Sequence, residues 1–141
     1  MDHNRVLKIA SAVRQAIERC EPTMRPWPSF PLGACGDTSL ILGQVLEDES
    51  IPGFMYICGN KRKADGHGAT HAWLQNGPWI VDITADQFPD VDQPVIVTSD
   101  SAWHSKWELE EPQPGALQAY GNREPHLWRL LMLLKPRLAL D

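Results

Sequence analysis

Val6, Ile9, Ala10, Val13, Ala16 and Ile17 recur at the three-and-four spacing of one helix face, which predicts an amphipathic helix over residues 3–20. Pro22, Pro26, Pro28 and Pro31 then exclude regular structure and predict an irregular loop that delivers the chain to Cys35. A second helix is predicted over residues 34–46, with Leu42, Val45 and Leu46 facing inward. The acidic run Glu47-Asp48-Glu49 opposes the helix dipole and is expected to mark its end.

Beyond Pro52 the pattern becomes strand-like. Gly53-Phe54-Met55-Tyr56-Ile57-Cys58 reads as a first strand bounded by Pro52 and Gly59. Residues 61–68 are a polar, glycine-bearing connection, with Lys61-Arg62-Lys63 as a solvated turn. Thr70-His71-Ala72-Trp73-Leu74 and Trp79-Ile80-Val81-Asp82-Ile83-Thr84 predict two strands joined by the turn Gln75-Asn76-Gly77-Pro78. A short helical turn or irregular stretch is expected over 84–92, then a strand at Val95-Ile96-Val97-Thr98. Residues 99–122 show no clear period. Leu127, Leu130, Leu131 and Leu134 mark a closing helix stopped by Pro136. The expected architecture is α+β over a single domain, 1–141, with the second helix packed on a small antiparallel sheet between N- and C-terminal helices.

Charge and composition narrow the partners. A net charge of −5 argues against broad nucleic-acid binding, which wants a basic face. The longest apolar run, residues 130–134, falls far short of the roughly 20 residues of a membrane span. The first residues lack the apolar stretch of a secretory signal, and three irregularly spaced cysteines make no disulfide framework. The expectation is a cytoplasmic protein acting on a protein, peptide or small amide substrate. Neither nucleic acid, membrane nor cofactor is expected, and the oligomeric state is open.

Cys35, His71 and Asp82 carry the chemistry. A thiol at a helix start, an imidazole on one strand and a carboxylate across a tight hairpin suit a nucleophile, its base and the group that orients the base. A free thiol, with a pKa of about 8.5, is mostly protonated at neutral pH. The unpaired N–H groups of a first helical turn and a neighbouring imidazolium both favour the thiolate. A hairpin folding around residues 76 and 77 pairs His71 with about Asp82.

The segment His71-Ala72-Trp73-Leu74, then Gly77, Trp79 and Val81-Asp82-Ile83-Thr84, resembles the His and Asp strands of transglutaminase-like cysteine enzymes, within the papain-like group. Gly33-Ala34-Cys35-Gly36-Asp37-Thr38-Ser39 before an apolar helix resembles that family's nucleophile segment, and the likeness spans residues 31–90. It implies Cys35 as nucleophile, His71 as general base and acid, and Asp82 as its orienter. The backbone N–H of Cys35 is the expected oxyanion donor. Trp73, His67 and Trp103 are the expected substrate-binding residues.

Other readings of these residues rank lower. Asp86 lies past the strand end and is second to Asp82 as the third member. A zinc site from His67, His71, Cys35 and Asp82 lacks any supporting ligand pair on a helix, so no metal is expected. His104 is an alternative base, but no carboxylate on a paired strand is evident for it, so it is expected at the surface or lining a cleft. Trp103 and Trp107 read first as core. Cys58 reads as a small buried hydrophobe and Cys20 as structural or incidental. A non-catalytic binding protein, or an effector domain modifying a target protein, remains the alternative.

Overall fold

The computed structural model describes residues 1–62 and 68–140. Three helices, α1 (His3–Arg19), α2 (Cys35–Asp48) and α3 (Pro125–Leu134), accompany strands β1 (Met55–Arg62), β2 (Gly68–Asn76), β3 (Trp79–Asp82), β4 (Ile96–Thr98), β5 (Glu108–Leu109) and β6 (Gln113–Pro114). The sheet is antiparallel and open, in the order β4-β3-β2-β1-β5, with β6 also pairing β1. The architecture is α+β as expected. No described helix is long and apolar enough to cross a membrane.

The apolar stripe of α1 is buried through Val6, Ile9, Ala10, Val13, Ala16 and Ile17, and the Asp2 side chain caps its start by accepting from the Arg5 backbone N–H. These residues join Leu42, Val45 and Leu46 of α2, Leu127, Leu130, Leu131 and Leu134 of α3, and Leu74 and Val81 of the sheet in the main core. Side chains alternate across a strand, so β2 and β3 turn their other residues to the opposite face. There Ile57, Trp73, Ile80 and Trp107 form a separate small cluster, with Phe88 and Trp103 packed against it. The sheet thus separates a helical core from an aromatic one, and the site grows out of the aromatic one.

Several element boundaries differ from the sequence reading. α2 runs on through Glu47 and Asp48, where Lys135 from the C-terminal end of α3 pairs with Asp48 at 2.7 Å. Lys61 and Arg62 belong to β1 rather than to a turn; Lys63 and His67 lie outside the described residues. β3 ends at Asp82, two residues early. The segment 99–122, without period in the sequence, holds a 3-10 turn at His104–Lys106 and both two-residue strands, which are too short to show an alternation.

The hairpin register also differs. Gly77, with φ +57°, and Pro78 form a two-residue turn of the kind that starts with glycine, so Asn76 pairs with Trp79 and Leu74 with Val81. Continuing that register sets Asp82 opposite Trp73. Asp82 therefore reaches His71 along the diagonal on one face of the sheet, rather than straight across.

Candidate active site

Asp82 closes β3 and is almost wholly shut off from solvent. A buried carboxylate needs donors, because an uncompensated charge in the interior is strongly destabilising. Three reach it. Oδ1 accepts the Thr84 backbone N–H at 3.0 Å, and Oδ2 accepts from Nε2 of His71 and Nε2 of His104, each at 2.7 Å. An ionised carboxylate only accepts, so both rings carry their proton on Nε2 toward it. Burial opposes ionisation of Asp82, but the two histidines outweigh it and hold the carboxyl down at about 2.

His71 lies on β2, fully buried, with Phe88 and Trp103 edge-on at 5.1 and 5.7 Å and Trp73 and Trp107 tilted against it at 5.7 Å. Gly59 of β1 is its cross-strand partner, and Trp107 packs so closely over Gly59 that an added Cβ would meet the Trp107 Cβ at 2.6 Å. Nε2 is committed to Asp82, and Nδ1 meets the amide of Gln87 at 3.2 Å. Burial disfavours the imidazolium, yet Asp82 and Cys35 outweigh it and push His71 up to about 9.

Cys35 opens α2 and is half-buried. No side chain caps this helix start, so its first-turn N–H groups are left to serve the thiol. The sheet supplies a further donor. In a two-residue hairpin the N–H groups of residues 76, 74 and 72 face the partner strand. After Asp82 that strand turns away, since the Ile83 carbonyl accepts from Arg14 of α1 at 2.7 Å. The Ala72 N–H is then open to the Cys35 sulfur. Burial by itself raises the thiol, but His71 and the Ala72 N–H outweigh it and hold Cys35 below its ordinary value.

Arg14 is buried and forked onto Asp86 through two 2.8 Å contacts. Asp86 is thereby paired to α1, and the carboxylate that His71 meets is Asp82. The same 3-10 turn, Ala85–Gln87, carries Gln87 to the His71 ring.

Other residues depart from expectation. His104 is neither at the surface nor idle: it is buried, with Trp73 and Trp103 at 4.7 and 4.8 Å, and bonds Asp82. Trp73 is 1% exposed and packs under the histidines, so it supports the site from below and offers no surface for a substrate. Trp103 is half-buried, bonded through Nε1 to Asp90 at 2.9 Å, and stands over His71 as a wall. Trp107 is core, as read. Cys58 is half-exposed rather than buried, and its thiol is raised by burial and by the adjoining Glu110.

Gln87 and His104 were not singled out as site residues by the pattern. A signal for His104 existed: a carboxylate amid apolar strand residues has two oxygens and needs more donors than one histidine supplies. His71, Asp82 and His104 also offer ligand atoms within 4.8 Å of one another. Ligands sharing one metal at bonds of about 2.1 Å stand roughly 3 Å apart or more. The 2.7 Å separations here fit hydrogen bonding instead. A hollow of about 630 Å³ beside Met24, Arg25, His126 and Met132 contains none of these side chains. Comparison with protein-family models, with curated proteins and with solved structures finds no match to this chain.

Proposed function

We propose that this protein is a cysteine-dependent acyl-transfer enzyme acting on an amide-type carbonyl, with Cys35 as nucleophile, His71 as base and acid, and Asp82 as orienter. The observation that carries the reading is the buried His71 ring held by Asp82 through Nε2 at 2.7 Å, and the lowering of the Cys35 thiol at the start of α2 by that same ring supports it. The resemblance of the Cys and His-Asp segments to transglutaminase-like and papain-like enzymes points the same way.

In this mechanism the thiol proton passes to His71, and the sulfur attacks the carbonyl carbon. The tetrahedral oxyanion takes the first-turn N–H groups of α2, with the Cys35 N–H foremost. The C–N bond breaks as His71 returns the proton to the leaving amine, and a thioacyl-enzyme remains. Water activated by His71 then releases the acid; an amine in its place gives a new amide. Hydrolysis is favoured because water needs no second binding site.

Iodoacetamide alkylation followed against pH, site by site by mass spectrometry, tests the nucleophile. Cys35 is expected to label fast well below pH 8, and to lose that advantage in His71→Ala, while Cys58 labels slowly. An ordinary thiol profile at Cys35 would overturn the reading and favour a non-catalytic binding protein. Cys35→Ala should abolish turnover of any amide substrate found, with the fold retained.

A further inference from the structure

Two histidines donate to one oxygen of Asp82, and only one of them is used by the mechanism above. His71 and His104 approach Oδ2 at the same 2.7 Å, while Oδ1 is occupied by the Thr84 N–H. A carboxylate oxygen has two lone-pair directions, so Oδ2 is filled and every acceptor position turned toward the rings is spent. His104 is fixed from the other side by Trp73 and Trp103 and sits on the 3-10 turn His104–Lys106, which starts the crossing toward β5.

We infer that His104 is a positioning residue that divides the negative charge of Asp82 between two imidazoles and thereby limits the basicity of His71. The inference rests on the reading of His71 as base only for its consequence in turnover; the proton equilibrium it describes stands on its own. The physical reason is competition. A carboxylate with one imidazole donor gives that imidazole its whole field, and the imidazolium is then hard to deprotonate. A second donor on the same oxygen draws off part of that field. His71 must both take the thiol proton and give it up to a leaving amine, and an overly basic ring does the first and fails at the second. Among the described residues the titratable groups facing this pair are Cys35 from α2 and His104; Phe88, Trp73, Trp103 and Trp107 supply uncharged walls.

The experiment is a pH titration of the histidine ring resonances by NMR on the full chain, in wild type, His104→Phe, His104→Leu and His104→Gln. Phe keeps the aromatic packing and removes the donor; Leu removes it with a different shape, so that one misfolded variant does not decide the matter. Gln restores an N–H to Asp82. The His71 midpoint is expected to rise by about one pH unit in Phe and Leu, and to return to within about half a unit of wild type in Gln. The same variants should deprotonate His71 too late to supply a leaving-group proton efficiently, so any turnover should shift its optimum to higher pH. An unchanged or lowered midpoint in the donor-less variants would overturn the inference and leave His104 as packing. An ordinary alkylation profile of wild-type Cys35 would instead overturn the proposed function, with the midpoint shift untouched, so the two failures are distinct.

Discussion

At the scale of single residues, burial decides what a hydrogen bond does. Asp82 and His71 are both inside, and each is charged only because the other, with His104 and Cys35, outweighs the loss of water. Asp82→Asn removes the charge but leaves the burial, so the His71 midpoint is expected to fall from about 9 to below its ordinary 6.5, read by ring NMR. Cys35 should then lose its low-pH alkylation. The linkage to stability has a defined sign. Asp82 contributes stability that is present above 3.8 and lost as pH falls toward about 2. His71 contributes stability that is present below 6.5 and lost as pH rises toward about 9. Urea midpoints should therefore be highest between about pH 4 and 6.5 and fall on both sides, and His71→Phe should flatten the alkaline fall. The meeting of His71 with Asp82 was legible because residue type, order and the hairpin between their strands converge on it. His104 was not, because it sits on a 3-10 turn with 21 residues between it and Asp82 on β3, and no local pattern records such a meeting.

At the scale of elements, the thiol depends on a strand that stops. β3 ends at Asp82, and the Ala72 N–H it would have used helps to hold the Cys35 thiol below its ordinary value. Arg14 of α1 accounts for the departure: it takes the Ile83 carbonyl, grips Asp86 and so holds the 3-10 turn that presents Gln87 to His71. Arg14→Met leaves Asp86 without its partner and frees that turn. A loss of roughly 2–4 kcal/mol is expected from urea denaturation, together with a higher alkylation midpoint at Cys35. A stability loss with an unmoved midpoint would show that the turn holds its place without α1. The helical period revealed α1 and its inward stripe, yet Arg14 was invisible as a site support, since an arginine one step off that stripe reads as a solvated residue. The diagonal register of Asp82 was hidden for a related reason: a shift of two residues leaves every side chain on the same face, so the hydrophobic alternation is blind to it.

At the scale of the whole molecule, the helical core and the aromatic cluster lie on opposite faces of one sheet, and α2 is the element that reaches both. Its C-terminal half packs in the main core through Leu42, Val45 and Leu46, while its first residue is Cys35, whose thiol His71 lowers. The depth to which α2 can settle is set by a backbone contact: a Cβ on Gly43 would stand 1.8 Å from the Gly115 carbonyl oxygen, and one on Gly115 would stand 2.3 Å from that of Phe54. Helix, crossing segment and the residue leading into β1 are thus stacked backbone to backbone, an arrangement open only to residues without side chains. Neither glycine carried a turn or motif signal, and the crossing segment had no period, so this packing was the least readable part of the fold. Gly43→Ala must push α2 off the segment at 113–117, and backbone cannot yield as a flexible side chain would. The expected cost is about 3 kcal/mol or more in urea denaturation. Because the displaced helix carries Cys35 with it, the thiol should also lose contact with His71 and the Ala72 N–H, and low-pH alkylation should drop at least about tenfold. Met132→Ala, at a side chain 69% exposed on α3, is the matched control and should change neither. If Gly43→Ala lowers stability and leaves the alkylation profile intact, the start of α2 is held by the sheet edge rather than by the position of the whole helix.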